Sequence, residues 1–203
     1  PASVKAALTL GSGVIAPDAP RLSAVENVIY AAPSQSLDAA ARMAQDQEMT
    51  VRLLGDALEG EAREVAQARA ELAMTIEQSL TEKDKPVLLL SGGELTVTRR
   101  GDGIGGPNAE YCLALALALN GASGIFALAC DTDGVDGAAE VAGAVIGPKT
   151  LSKAQSAGID AAAALASNDA HRFFERLTDQ VITGPTLTNV NDFRSILIMA
   201  SGT

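Results

Sequence analysis

The chain has 203 residues, 47% of them hydrophobic and 20% charged, which is enough apolar material for the core of one ordinary domain or two small ones. Fifteen Lys and Arg against twenty-five Asp and Glu leave a net charge of −10. Such a surface repels polyphosphate backbones and anionic lipid, and the apolar runs stay well below the roughly 18 residues of a spanning helix, so nucleic-acid and membrane partners are disfavoured. Cys112 and Cys130 lack CxxC spacing and read as buried, reduced thiols of a cytoplasmic protein, not as a disulfide or zinc framework.

The chain opens on Pro1, and the stretch to Leu22 reads as a short helix (Ser3 to Leu8) followed by a Gly/Pro-rich connection, the profile of a fragment of a longer protein. Val25 to Ala31 reads as a strand. A helix from Ser36 to Gln47 follows, with Ser34 or Ser36 as N-cap and Leu37, Ala40, Ala41 and Ala44 on one face. Thr50 to Leu54 reads as a second strand and Glu59 to Leu80 as a long helix, giving a β-α-β-α order suited to a parallel sheet. The charged run from Thr81 to Pro86 marks a boundary between residues 1–85 and 86–203.

Beyond it, Pro86 to Ser91 is a continuous apolar strand, as a sheet buried on both faces requires. Leu95 to Arg100 alternates and reads as a separate edge or hairpin strand. Ala109 to Leu119 is a helix with Pro107 near its first position and Asn120-Gly121 as its stop. Gly124 to Cys130 is a buried strand ending at Asp131. Helices are expected over residues 151–157, 160–166 and 169–177, and strands over 180–182 and 193–200. The alternation as a whole predicts an α/β fold of layered parallel or mixed sheets with helices on their faces.

Three polar segments sit where strands end, the usual place for ligands in open α/β sheets, and a fourth lies later in the chain. In Ser91-Gly92-Gly93-Glu94, two glycines can aim consecutive amides at an anionic oxygen beside a carboxylate, or simply form a tight turn. Gly101-Asp102-Gly103-Ile104-Gly105-Gly106 spells GxGxxG before a helix, but LTVTRR is too polar for the central strand that precedes a dinucleotide loop. The loop reads better as a wrap around a phosphate chain, with a flexible hairpin tip as the plain alternative. In Asp131-Thr132-Asp133-Gly134-Val135-Asp136-Gly137, three carboxylates repel one another unless donors or a cation neutralise them. Magnesium is the natural cation. The spacing does not fit an EF-hand, because Val135 takes a ligand place and Ala142 stands where the closing Glu belongs.

The fourth segment, Thr183 to Asp192, offers hydroxyls and amides for a polar binding wall or for the turns of a long loop. His171 reads as a surface residue of a helix, and Lys149 in GPKT matches a Walker lysine only superficially.

SGGELTV (Ser91 to Val97), GDGIGGPNAEY (Gly101 to Tyr111), DTDGVDG (Asp131 to Gly137) and TGPTLTNVND (Thr183 to Asp192), in this order, resemble the glycerate 2-kinase family. Its C-terminal module is called MOFRL, and its members have often been labelled hydroxypyruvate reductases, including the tartrate-utilisation type. The resemblance implies a MOFRL-like α/β domain over 86–203, preceded in 1–85 by a remnant of an N-terminal Rossmann-like kinase domain. EGEAREVA (Glu59 to Ala66) is similar to the last part of that domain, whose nucleotide loop and lysine have no counterpart here. The chain departs from the family's GGRNQE at Pro107 and Ala109, and Leu187 stands where glycine is common.

What the resemblance implies is transfer of the ATP γ-phosphoryl group, with Mg2+, to the 2-hydroxyl of D-glycerate. Asp131, Asp133 and Asp136 would take metal or proton-accepting roles, with Asp131 and Asp133 as the metal pair. Glu94 and Asn108 would orient glycerate or metal-bound water. The amides of Gly92, Gly93, Gly101, Gly103, Gly105 and Gly106 would receive anionic oxygens, and Thr186, Thr188, Asn189 and Asn191 would line the opposite wall. The isolated chain, lacking the other half, would turn nothing over, and a homodimer is the default assembly. The alternative is an NAD(P)H-dependent hydroxypyruvate reductase, resting on the GxGxxG spelling with Asp131 at a later strand end.

Overall fold

The computed structural model describes residues 2–9 and 18–201, which divide into two compact units, residues 1–30 and 31–203. In the first unit, α1 (Ala2–Thr9) is the expected short helix, and a 3-10 turn covers Pro20–Leu22. The Gly/Pro-rich connection over residues 10–17 lies outside the described residues. Val25 to Tyr30 carries no regular structure, contrary to the expected strand, and Val25, Val28, Ile29 and Tyr30 are exposed. Valine, isoleucine and tyrosine favour strands because they fit a pleated, half-buried surface, and a segment with no ladder beside it has none.

The second unit is a seven-stranded mixed sheet between helices. Its strands are β1 (Thr50–Leu53), β2 (Leu58–Glu61), β3 (Val87–Thr96), β4 (Ile125–Asp131), β5 (Gly143–Ile146), β6 (Gln180–Val181) and β7 (Asp192–Ile198). The order is β1-β3-β7-β4-β5-β6, and β2 also pairs with β3, further along it than β1. Only the β1–β3 and β2–β3 pairings are parallel; β7 runs antiparallel to β3 and β4, and β5 to β4 and β6. The sheet therefore crosses the expected 85/86 boundary, with β1 and β2 on one side of Pro86 and their partner β3 on the other.

Two local expectations change for the same reason, the demand of the backbone for partners. Ser91 to Glu94 is no turn: β3 runs straight through it, and the Gly92 amide donates to the Gly55 carbonyl at 2.9 Å. Gly93, at φ +112°, takes a conformation side chains rarely adopt, and an added Cβ would strike the backbone of Leu58. The long helix begins at Ala62 instead of Glu59, because Leu58–Glu61 is spent pairing with Gly93–Thr96.

The helices sort to the two faces. α3 (Ala62–Ser79) and α4 (Pro107–Leu119) cover one face, with Ala62, Ala66, Ala70 and Ala73 fully buried along α3. α4 is apolar nearly all round because it lies under α3 and also meets α6 (Ala161–Ala166) and α7 (Ala170–Leu177). Asn120, at φ 47°, ends α4 at the expected Asn-Gly stop. On the other face, α2 (Pro33–Asp46) packs Leu37 and Ala41 against Leu90. Its first turn is closed by Pro33 and by Ala32 N–H donating to Gln35 Oε1 at 3.2 Å, in place of the expected serine cap. Over β4 and β5 no helix of the described residues covers that face, and a hollow of about 910 Å³ exposes Phe126, Leu128, Val145 and Leu197 beside Lys149 and Lys153 of the loop and helix α5 (Thr150–Ser156).

Candidate active site

The C-terminal end of β4, the start of β7 and the N-terminus of α4 meet at one edge of the sheet. Register sets Asp131 directly across from Asp192, and Asp192 across from Gly93. Asn108, the second residue of α4, is fully buried and donates Nδ2 to Asp192 Oδ1 at 2.7 Å. Arg194, two residues further along β7, pairs with the other Asp192 oxygen, lies 5.7 Å from the Tyr111 ring centroid and reaches the Gly92 carbonyl at 3.4 Å.

Asp136 completes the centre from the aspartate loop. Its Oδ1 accepts from Asn108 N–H at 3.0 Å and from Asn108 Nδ2 at 3.3 Å, and its Oδ2 accepts from Ala109 N–H at 2.9 Å. The helix N-terminus does attract an anion, as expected, but the anion is this internal carboxylate. His171 of α7 sits against the same residue, Nε2 at 2.8 Å from the Asp136 carbonyl and 3.3 Å from Oδ2. It is 2% exposed, so the reading of a surface histidine is corrected. The available signal was its place three residues before Phe174, on the face of α7 that carries Ala170 and Phe174.

The glycine loop has a different purpose from the expected phosphate wrap. Gly101 N–H donates to Asn168 Oδ1 at 3.0 Å and Gly103 N–H to the Ser167 carbonyl at 2.9 Å. A Cβ on Gly101, Gly103 or Gly105 would meet residues 167–169 at 2.6–2.8 Å, and one on Gly106 would collide with Asp136. These glycines permit close backbone packing against the α6–α7 turn. The amides of Gly92, Gly101 and Gly103 are already engaged, which corrects their assignment to an anionic ligand.

The remaining carboxylates are held by short loops. Asp133 N–H donates to Asp131 Oδ1 at 3.0 Å, Val135 N–H to Asp133 Oδ1 at 2.8 Å, and Asn189 Nδ2 to Asp133 Oδ2 at 3.1 Å. Thr186 binds the same loop through the carbonyls of Thr132 and Asp133, at 2.5 and 3.1 Å. The Asn191 carbonyl receives the Thr132 hydroxyl at 2.8 Å. Thr188 is exposed and meets Thr186 within the loop. Leu187, where the family commonly has glycine, is 98% exposed at φ 60°, a conformation glycine adopts freely. Glu94 is exposed and lies beside Glu59 in register, at the rim and not the centre.

Burial pushes the Asp131 carboxyl up to about 6, reinforced by the charges of Asp133 and Asp192. Burial also raises Asp192, against the pull of Arg194. At His171 burial acts downward, but the Asp136 carboxylate and carbonyl outweigh it and raise the imidazole above its ordinary value. Cys130 is pushed up to about 11 by burial, so its thiol stays protonated. Among the described residues no group of three or more His, Cys, Asp and Glu is placed to share a metal ion. A pair of carboxylates under mutual repulsion, Asp131 and Asp133, still fits magnesium, which takes one or two carboxylates and fills its shell with water and phosphate.

The sequence profile of the MOFRL family matches residues 87–192, more than half of the chain and all four polar segments from Ser91 to Asp192. The chain belongs to the MOFRL family. It is 45% identical over 202 residues to a protein of Agrobacterium vitis named "Putative hydroxypyruvate reductase", covering 98% of this chain and 45% of that protein. It is 33% identical over 171 residues to the D-glycerate 2-kinase of Thermotoga maritima, covering 84% of this chain and 41% of the kinase. The crystal structure of glycerate kinase from Thermotoga maritima superposes with a TM-score of 0.83 at 32% identity, over 87% of this chain and 43% of that one. This MOFRL chain thus shares the mixed α/β fold of the kinase and spans less than half the length of these relatives. No described helix is long and apolar enough to cross a membrane.

Proposed function

We propose that this MOFRL chain is the C-terminal portion of a glycerate 2-kinase, which transfers the γ-phosphoryl group of ATP to the 2-hydroxyl of D-glycerate to give 2-phosphoglycerate and ADP. The observation that carries the reading is the convergence of the polar segments on the strand ends where Asn108 bridges Asp136 and Asp192, with Asp131 across from Asp192. Phosphoryl transfer needs positioning and charge neutralisation more than covalent chemistry. Asp131 and Asp133 would hold Mg2+, which supplies neutralisation of phosphate charge when bound. The raised Asp131 carboxyl, pressed by two like charges, fits that role.

Thr186, Thr188, Asn189 and Asn191 would offer the hydroxy acid its polar wall, and Glu94 would face it from the rim. With the Gly101 and Gly103 amides engaged internally, the nucleotide phosphates fall to the remainder of the longer protein, which we take as the chain's first partner. The same engagement argues against the NAD(P)H reductase alternative, whose fingerprint needs those amides free. A cytoplasmic location, reduced thiols, a possible tartrate-linked role and a homodimer belong to this reading.

Two assays on the longer enzyme separate the readings: ADP release with D-glycerate and ATP, and NADH absorbance with hydroxypyruvate. Kinase turnover is expected, with none from the 203 residues alone; NADH oxidation instead would reverse the assignment. Asp133→Asn should lower kinase turnover at least about ten-fold, equivalent to about 1.4 kcal/mol. Unchanged turnover would remove Asp133 from the site.

A further inference from the structure

His171 is the chain's single histidine and touches none of the residues proposed to meet substrate or metal except through Asp136. A buried imidazole in an apolar layer is costly unless its N–H finds an acceptor. Here Nε2 faces two oxygens of one residue, while Nδ1 has no partner. The proton therefore belongs on Nε2, since an orphan lone pair costs less than an orphan N–H.

With that N–H in place, Asp136 is held by four donors: two α4 amides and the Asn108 carboxamide on its carboxylate, and the imidazole on its carbonyl, 3.3 Å from Oδ2. Asn108 Nδ2 then bridges Asp136 and Asp192. The backbone of the same segment grips the glycine loop. His171 N–H donates to the Ile104 carbonyl at 3.0 Å, and Asp169 Oδ1 accepts from Ile104 N–H at 2.8 Å.

We propose that His171 is a positioning residue. By fixing Asp136 against the start of α4, it sets the orientation of the Asn108 carboxamide and, through it, of Asp192, neither of which it touches. This inference rests on the kinase reading for its functional meaning, but its geometry can be tested separately.

The test uses the 203-residue chain with His171→Leu and His171→Gln, the latter able to replace the Nε2 donor. On the alkaline side of the imidazole's titration, the parent's 15N spectrum should show a protonated Nε2 and a bare Nδ1; a proton on Nδ1 alone overturns the proposal. In His171→Leu, the Asn108 and Ala109 amides should exchange at least about ten-fold faster while the β4 amides Ala127 and Ala129 hold their rates. His171→Gln should restore them to within about three-fold. Equal acceleration in β4, unchanged rates at Asn108, or no rescue by Gln each overturn it. D-glycerate titrated into the three proteins by calorimetry adds the functional arm, with weaker binding expected in His171→Leu. If the parent itself binds no glycerate, the kinase reading fails, and the exchange and 15N arms still decide the positioning claim.

Discussion

Burial and like charge act in the same direction at Asp131, which faces Asp192 across the ladder and Asp133 two residues on. Its carboxyl is raised to about 6 from an ordinary value near 3.9, so the folded chain holds its proton more tightly than the unfolded chain. Its contribution to stability is full below about pH 4 and is lost as pH rises to about 6. Asp131→Asn, which keeps the shape without the charge, should therefore match the parent near pH 4 and exceed it at pH 7. Because the group is only partly buried and is screened by solvent, the gain should be about 1 kcal/mol or less. Urea midpoints at the two pH values check this, and an equal difference at both would refute it. Asp131, Asp133, Asp136 and Asn108 were legible in the sequence because polar residues break an apolar strand or open a helix. Asp192 was legible only as the last residue of the fourth polar segment, and Arg194 was not legible, since in an alternating strand a charged residue reads as facing water. Only the neighbouring strands reveal that these two point inward.

Between elements, the closest fit is α3 on α4. Ala62, Ala66, Ala70 and Ala73 recur at helical spacing, each with no exposed surface, so the two helices approach without side chains between them. Replacing Ala70 with Leu should cost about 1–3 kcal/mol by overpacking, measurable as a lowered denaturant midpoint with unchanged slope. Leu in place of the exposed Ala68, on the outer side of α3, should leave the midpoint within about 0.5 kcal/mol. The long helices were visible in the sequence through this spacing. The four-residue strands β2 and β5 were not: LEGE carries two charges and GAVI is too short to show a period. Each exists because a neighbouring strand needs its hydrogen bonds completed. Gly143 can sit beside Ala129 only without a Cβ.

At the scale of the whole molecule, the βα alternation announced an α/β sheet and left open whether it runs parallel or mixed. Local pattern carries no record of which distant strand lies alongside which. β7 enters between β3 and β4, with seven register pairs on each side, and buries Ile196 and Ile198. Deleting residues 192–203 should leave each neighbour unpaired along one side and abolish cooperative unfolding, seen by circular dichroism across a urea titration. A cooperative transition in the truncated chain would show that the sheet does not depend on its middle strand.

That placement has a consequence for how the protein is made. Of the seven strands, the one that joins the two halves of the sheet comes last in chain order, so a growing chain carries β3 and β4 with an open side until β7 has been made. Domains that close on distant pairings assemble slowly, and here the interval of greatest risk is the wait for β7. A chaperone that shields β edges during synthesis would raise soluble yield more than any substitution in the finished core.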